Sequence, residues 1–275
     1  NMTIEIHPTA LVDPKSELDD GVLVEPYAIV EAGTTIGKGT KVEAHAIIKR
    51  GTSIGESCTI GHFSVAGGLP QHLSFDPNTV SFVDIGDSVR IGEGVTIHRS
   101  IHEEKNTIVG DHCFLMGNSH VAHDCKMGKA VLVANGALLG GHVELGHEVF
   151  IGGGAALHQF VRVGDGAMLG GLAEISADVP PQITVAGRNL ASGLNLIGLK
   201  RRGAKREEIA ELKNLYRHFL SKPGNLKGRA EELLESSSVP KTELGLNFTK
   251  FFLSGDRNFA RSRNLSKNKV TQEDF

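Results

Sequence analysis

The chain has 275 residues, 40% of them apolar and 5% aromatic, no tryptophan, and a net charge of −3. The apolar content suffices for a core, no apolar run approaches the roughly 18 residues of a bilayer span, and no charged-then-apolar leader opens the chain. A soluble cytoplasmic protein is therefore expected, and three cysteines, an odd count, argue against a disulfide framework.

From His7 onward an aliphatic residue recurs at every sixth position: Val12, Leu18, Val24, Val30, Ile36, Val42, Ile48, Ile54, Ile60. Helices repeat near 3.6 and strands near 2, so neither explains a strict six. Such self-similarity marks a parallel β-helix built from hexapeptides. Each hexad reads as a short strand plus a turn, and three hexads close a triangular coil of about 18 residues, stacked on the next at roughly 4.8 Å. The residue four places after each aliphatic is small, from Ser16 to Ser64, and both are expected to point inward. Cys58, Cys113 and Cys125 fall at this small position, which makes them interior fillers. Glycine often follows the aliphatic (Gly110, Gly128, Gly146, Gly152, Gly164, Gly170), where it is expected to relieve tight corners.

Turn-forming residues break the register over about 67–84, and a second break falls at about 99–107, so two loops are expected to leave the prism. Between them the period holds at Ile85, Ile91 and Ile97; after them it runs unbroken from Val109 to Ile175. Pro180 and Pro181 end it. These signals divide the chain into a β-helix over 2–186, a helical region over 187–262 and a disordered tail over 263–275. An irregular bridge is expected to Gly198. The first helix, from Ala204, carries Ile209, Leu212, Tyr216 and Phe219 on one face and stops at Ser221–Asn225; further helices are expected over about 226–237 and 242–253.

Charge is unevenly distributed. Residues 200–275 hold 17 basic and 10 acidic side chains, whereas the first 199 hold 12 and 22. A basic end on an acidic body suits an anionic partner.

Four of the 13 histidines, His120, His123, His142 and His158, occupy hexad positions that face outward. Modulo an 18-residue coil they fall close together, so they are expected to cluster on one side across adjacent coils. His98 joins them one coil below if the second loop absorbs about six residues. A single outward histidine, such as His45 or His147, is ordinarily solvated surface. A cluster can supply a general base, above all where prisms associate about a threefold axis and an outward face becomes a cleft. Imidazoles on adjacent coils could also meet zinc.

The runs His120-Val121-Ala122-His123-Asp124-Cys125, Gly140-Gly141-His142-Val143, His158-Gln159-Phe160, Asp178-Val179-Pro180-Pro181 and Gly198-Leu199-Lys200-Arg201-Arg202-Gly203 resemble, in this order, the UDP-N-acetylglucosamine O-acyltransferases of lipid A synthesis. The similarity extends from His7 to about residue 262. It implies a left-handed coil, a homotrimer, and transfer of an (R)-3-hydroxyacyl group from acyl carrier protein to the sugar 3-position of a UDP-hexosamine. It implies His123 as general base, Asp124 biasing it, and the Gly141 N–H as oxyanion donor. Gln71, His72, His120, His142, His158 and Gln159 would line the sugar and acyl sites, and Gly171 would gate acyl length, its missing side chain favouring a longer chain. Asn195 and Arg201 would hold the nucleotide diphosphate. Lys200, Arg202 and the basic helices would meet the carrier protein. No metal, tightly bound cofactor, nucleic acid or membrane insertion is implied; phosphopantetheine arrives on the carrier protein.

Two positions depart from the family pattern. The first loop reads Gln71-His72-Leu73-Ser74 where Gln-Asp-Leu-Lys is usual, and Ile197 replaces a common glutamate. Both the 3-hydroxyl and a 3-amine acceptor stay open. The related N-acyltransferase carries an extra N-terminal domain for which a repeat starting by Val12 leaves no room. The same repeat also suits a zinc-dependent carbonic anhydrase-like protein or a catalytically silent scaffold.

Overall fold

The computed structural model describes residues 3–262; Met2 and the tail expected over 263–275 lie outside the described residues. Glu5–Ile6, Leu11–Val12 and Glu17–Leu18 begin three separate sheets of 12, 9 and 8 strands, which form the first, second and third faces of a prism. Each pairs in parallel with the strand 18 residues on, at Leu23–Val24, Ile29–Val30 and Thr35–Ile36. The step widens to 31 between Thr59 and Arg90 and to 24 between Arg90 and Phe114, so the two loops add 13 and six residues without disturbing the pairing. Both leave the same edge in consecutive coils, between Val65–Gly68 and Phe82–Ile85 and between Thr96–His98 and Asn106–Val109.

The six-residue rule has its physical cause inside the prism. Val109, Leu115, Val121 and Leu139 are at most 1% exposed, and so are their small partners Cys113, Cys125 and Ala137. Burying each aliphatic contributes roughly 1.5–3 kcal/mol relative to leaving it in water. Among the described residues no aromatic side chain is fully buried there, and the fully buried rings Phe219, Phe248 and Phe252 belong to the helical region. The Cys113 and Cys125 thiols donate to the carbonyls of Gly128 and Gly140, each at 3.2 Å, and burial pushes their pKa up to about 11 and about 12. They are fillers with almost no thiolate at neutral pH.

The glycines after the aliphatics serve a different purpose from the one expected. They do not adopt the left-handed conformation; a Cβ on Gly110 would lie 2.5 Å from the Gly128 carbonyl oxygen, and one on Gly152 the same distance from the Gly171 nitrogen. They permit close approach of one coil to the next. The corner itself is turned by the residue three places after the aliphatic, which takes positive φ and is often not glycine: His112 (59°), Asp124 (61°), His142 (60°), Phe160 (66°).

Strand structure continues past the expected boundary at 186. Ile183–Ala186 turns back on Leu190–Leu194 as an antiparallel hairpin, and Arg261–Ser262 returns to pair with Leu190 and Ala191. The bridge also holds a short helix, α1 (Leu196–Arg201), whose first turn is capped by Asn195. Then come α2 (Arg206–Leu220), α3 (Leu226–Glu235) and α4 (Glu243–Lys250), the last prolonged by a 3-10 turn, Phe251–Leu253. Phe219 of α2 stacks on Phe252 at 4.4 Å, with Phe248 against both.

Candidate active site

The edge between the second and third faces carries the histidines. Coils turn this corner at residues 122–124, 140–142 and 158–160, and main-chain bonds hold the turns in register: His142 N–H donates to the His123 carbonyl (3.0 Å) and Phe160 N–H to that of Gly141 (2.9 Å). Both loops leave from the same edge in the two preceding coils and fold back over it.

His123 is 8% exposed, and its Nδ1 lies 2.8 Å from Asp124 Oδ2. The Asp124 carboxylate also accepts the Ser100 hydroxyl on Oδ1 and the Ile101 N–H on Oδ2 (3.1 Å), both from the second loop. Burial alone would raise its pKa, but the bonds from His123, Ser100 and Ile101 prevail and hold it at about 2. An ionised carboxylate only accepts, so the His123 proton sits on Nδ1 and the Nε2 lone pair stays free.

Gly141, one coil on, packs directly against that ring. A Cβ built on it would lie 2.5 Å from His123 Cε1 and 2.7 Å from Nε2. Its N–H meets no acceptor among the described residues. A proton acceptor and an uncommitted main-chain donor therefore lie side by side, the pair that acyl transfer through a tetrahedral intermediate requires. Gly141→Ala is expected to displace the imidazole and lower kcat about 10²-fold with little change in melting temperature, because the prism interior is untouched; steady-state kinetics and thermal denaturation check it.

Further rings surround the pair. His142 meets His123 edge-on at 5.2 Å and stacks on Phe160 at 4.4 Å; His72 of the first loop approaches His123 edge-on at 5.9 Å, and His102 of the second lies 5.7 Å from His142. Burial lowers the pKa of His142, although Asp124 opposes it. His120 bonds Thr96 Oγ1 through Nδ1 (2.7 Å) and touches His98 edge-on at 4.7 Å. The six-residue loop thus brings His98 alongside, as its spacing predicts. Burial, and then the charges His120 and His123 would carry, hold His98 down to about 4, so it is neutral at physiological pH.

Other expected site residues lie elsewhere. His158 is exposed at the same edge, but no ring contact joins it to the others among the described residues; its Nδ1 faces Arg257 at 2.9 Å. Gln159 follows it, exposed, while Gln71 is exposed in the first loop beside His72. Gly171 is exposed on a different edge, between the first and second faces. Asn195 is committed to structure, its Oδ1 accepting the Gly198 N–H and its Nδ2 donating to the Gly166 carbonyl, each at 3.0 Å. Lys200 and Arg201 are exposed. Arg202 is not a free docking charge: it pairs with Glu148 at 3.2 Å and donates to Gln182.

Ser100, His102 and Arg257 are the residues that sequence reasoning missed. The first two sit in the break in register, where a period assigns no direction, and Arg257 lies far along the chain in the segment after the last helix. Among the described residues, His102, Asp124 and His142 also bring donor atoms within 4.8 Å of one another, a spacing from which a metal ion could be held.

Comparison with known proteins places the whole chain. Residues 178–260 match the second domain of the family described as Udp N-acetylglucosamine O-acyltransferase, and residues 106–141 match the bacterial transferase hexapeptide. The acyl-[acyl-carrier-protein]--UDP-N-acetylglucosamine O-acyltransferase of Halorhodospira halophila is 44% identical over 85% of this chain and 91% of its own length; that of Thermodesulfovibrio yellowstonii is 39% identical over 94% and 99%. Among solved structures, the UDP-N-acetylglucosamine acyltransferase of Campylobacter jejuni superposes with a TM-score of 0.86 at 34% identity, over 94% of this chain and 100% of that one. The Francisella novicida enzyme gives 0.89 at 28%, over 98% and 100%. The coil is the left-handed one of these transferases. With relatives 39–44% identical over 85–94% of its length and the family model matching its helical end, the chain belongs to the UDP-N-acetylglucosamine O-acyltransferase family.

Proposed function

We propose that this acyltransferase moves an (R)-3-hydroxyacyl group from acyl carrier protein to the 3-position of UDP-N-acetylglucosamine or its 3-amino analogue, as the first step of lipid A synthesis. The observation that carries this reading is the His123–Asp124 pair with the Gly141 backbone packed against its imidazole. His123 Nε2 takes the acceptor proton as the acceptor oxygen or nitrogen attacks the thioester carbon. The Gly141 N–H receives the oxyanion, and the collapsing intermediate expels the pantetheine thiolate, which recovers the proton from His123.

His72, edge-on to His123, stands on the acceptor side in the loop that departs from the family pattern. Gly171 and Arg201 lie away from the histidine edge, so in this reading a neighbouring copy in a homotrimer brings its own pair to complete the site. The exposed Lys200 and Arg201, with the basic helices, suit an acidic carrier protein. No described helix is long and apolar enough to cross a membrane. Purified protein, a series of 3-hydroxyacyl carrier proteins and the two UDP-sugars test the reading: acylated sugar is expected with one donor length preferred, and no product from either sugar would overturn it.

A further inference from the structure

His102 has no part in the proton transfer, yet it closes a cluster with chemistry of its own. Its ring, exposed on the second loop, faces His142 across a cleft of about 430 Å³ that Asp124, Glu104 and Glu144 also line. Donor atoms of His102, Asp124 and His142 all lie within 4.8 Å of one another, and His142 Nε2 stands 3.8 Å from Asp124 Oδ2. Two ligands roughly 2.0–2.2 Å from one tetrahedral ion stand about 3.4 Å apart, so this pair at 3.8 Å needs to close by only a few tenths of an ångström. The remaining span closes by rotation of the exposed His102 side chain. Two imidazoles and a carboxylate suit zinc, cobalt or nickel rather than magnesium or calcium, which prefer oxygen ligands. The cleft opens to solvent and is rimmed by Glu104 and Glu144 together with Lys105 and Lys126, so its rim is close to neutral and the ligand set itself carries the affinity.

We propose that His102, Asp124 and His142 form a binding site for a transition-metal dication of the zinc type, through which the ion inhibits the enzyme. The ion takes a lone pair of Asp124 Oδ2, the atom that holds His123 Nδ1, and sets two positive charges beside the base. Binding needs nothing from the acyl-transfer reading; the inhibition rests on it.

The test is calorimetric titration of chelator-treated protein with zinc chloride, together with the visible spectrum of a cobalt(II) titration. About one ion per chain and the absorption of low-coordinate cobalt are expected. His102→Ala, which removes an exposed side chain, should weaken zinc binding about tenfold or more while leaving melting temperature unchanged, its acyl transfer being referred to its own zinc-free rate. Wild-type turnover should fall with added zinc and return with chelator, and the variant should resist. Unchanged zinc affinity in His102→Ala, or no binding in the wild type, overturns the site. Binding without inhibition overturns the inhibitory role alone, and absence of turnover in metal-free wild type bears on the acyl-transfer reading instead.

Discussion

Replacing His123 by alanine is expected to lower kcat by roughly 10²–10⁴-fold, the range a positioned general base contributes, while the prism and its melting temperature stay near wild type. The imidazole lies on the outer edge, and the coil is held by the aliphatic interior and the parallel ladders, neither of which the substitution reaches. The Gly141 N–H remains, so a residue of activity above the uncatalysed rate should persist. Steady-state kinetics with circular dichroism check it. Turnover close to wild type would remove His123 as the base.

The second large effect is expected from Asp124→Asn, with kcat reduced by about 10²–10⁴-fold and KM little changed. The carboxylate accepts three bonds, from His123, Ser100 and Ile101. An amide whose oxygen takes the Oδ2 place keeps the bonds from His123 and Ile101 and donates from its NH₂ to the Ser100 hydroxyl, which can accept. What is lost is the negative charge that stabilises the imidazolium formed when His123 takes the acceptor proton. Since Asp124 acts through His123, the loss should appear in kcat rather than KM; equal losses in binding would argue that it touches substrate. There is also a pH signature. A carboxyl held at about 2 against an ordinary 3.8 adds stability fully present above pH 4 and lost as pH falls through 2. The difference in melting temperature between wild type and variant should shrink across that window.

The prism is legible in the sequence because one rule, an aliphatic residue every six positions, fixes the direction of every side chain that obeys it. That phase places His120, His123 and His142 on one edge, and the length of the second loop places His98 with them. Ser100 and His102 obey no phase, and only the folded loop shows them reaching Asp124 and His142. The resemblance marks Arg202 for the carrier protein but does not see Glu148, which lies 54 positions earlier and forms an ion pair with it. The motif marks Asn195 as a ligand to phosphate, whereas its side chain caps a six-residue helix, with Gly198 inside it, too short to announce itself by periodicity. His158 has the expected edge, but a partner from the far end of the chain, Arg257, takes its Nδ1.

The repeat of 18 residues makes the histidine edge a graduated scale. Main-chain pairing fixes the interval between marks at about 4.8 Å, so a group fastened to the edge moves relative to its neighbours only in whole increments. His123, Gly141 and Gln159 sit on successive marks. Fine adjustment is left to the two excursions of 13 and six extra residues, which can change in length without altering the spacing beneath them.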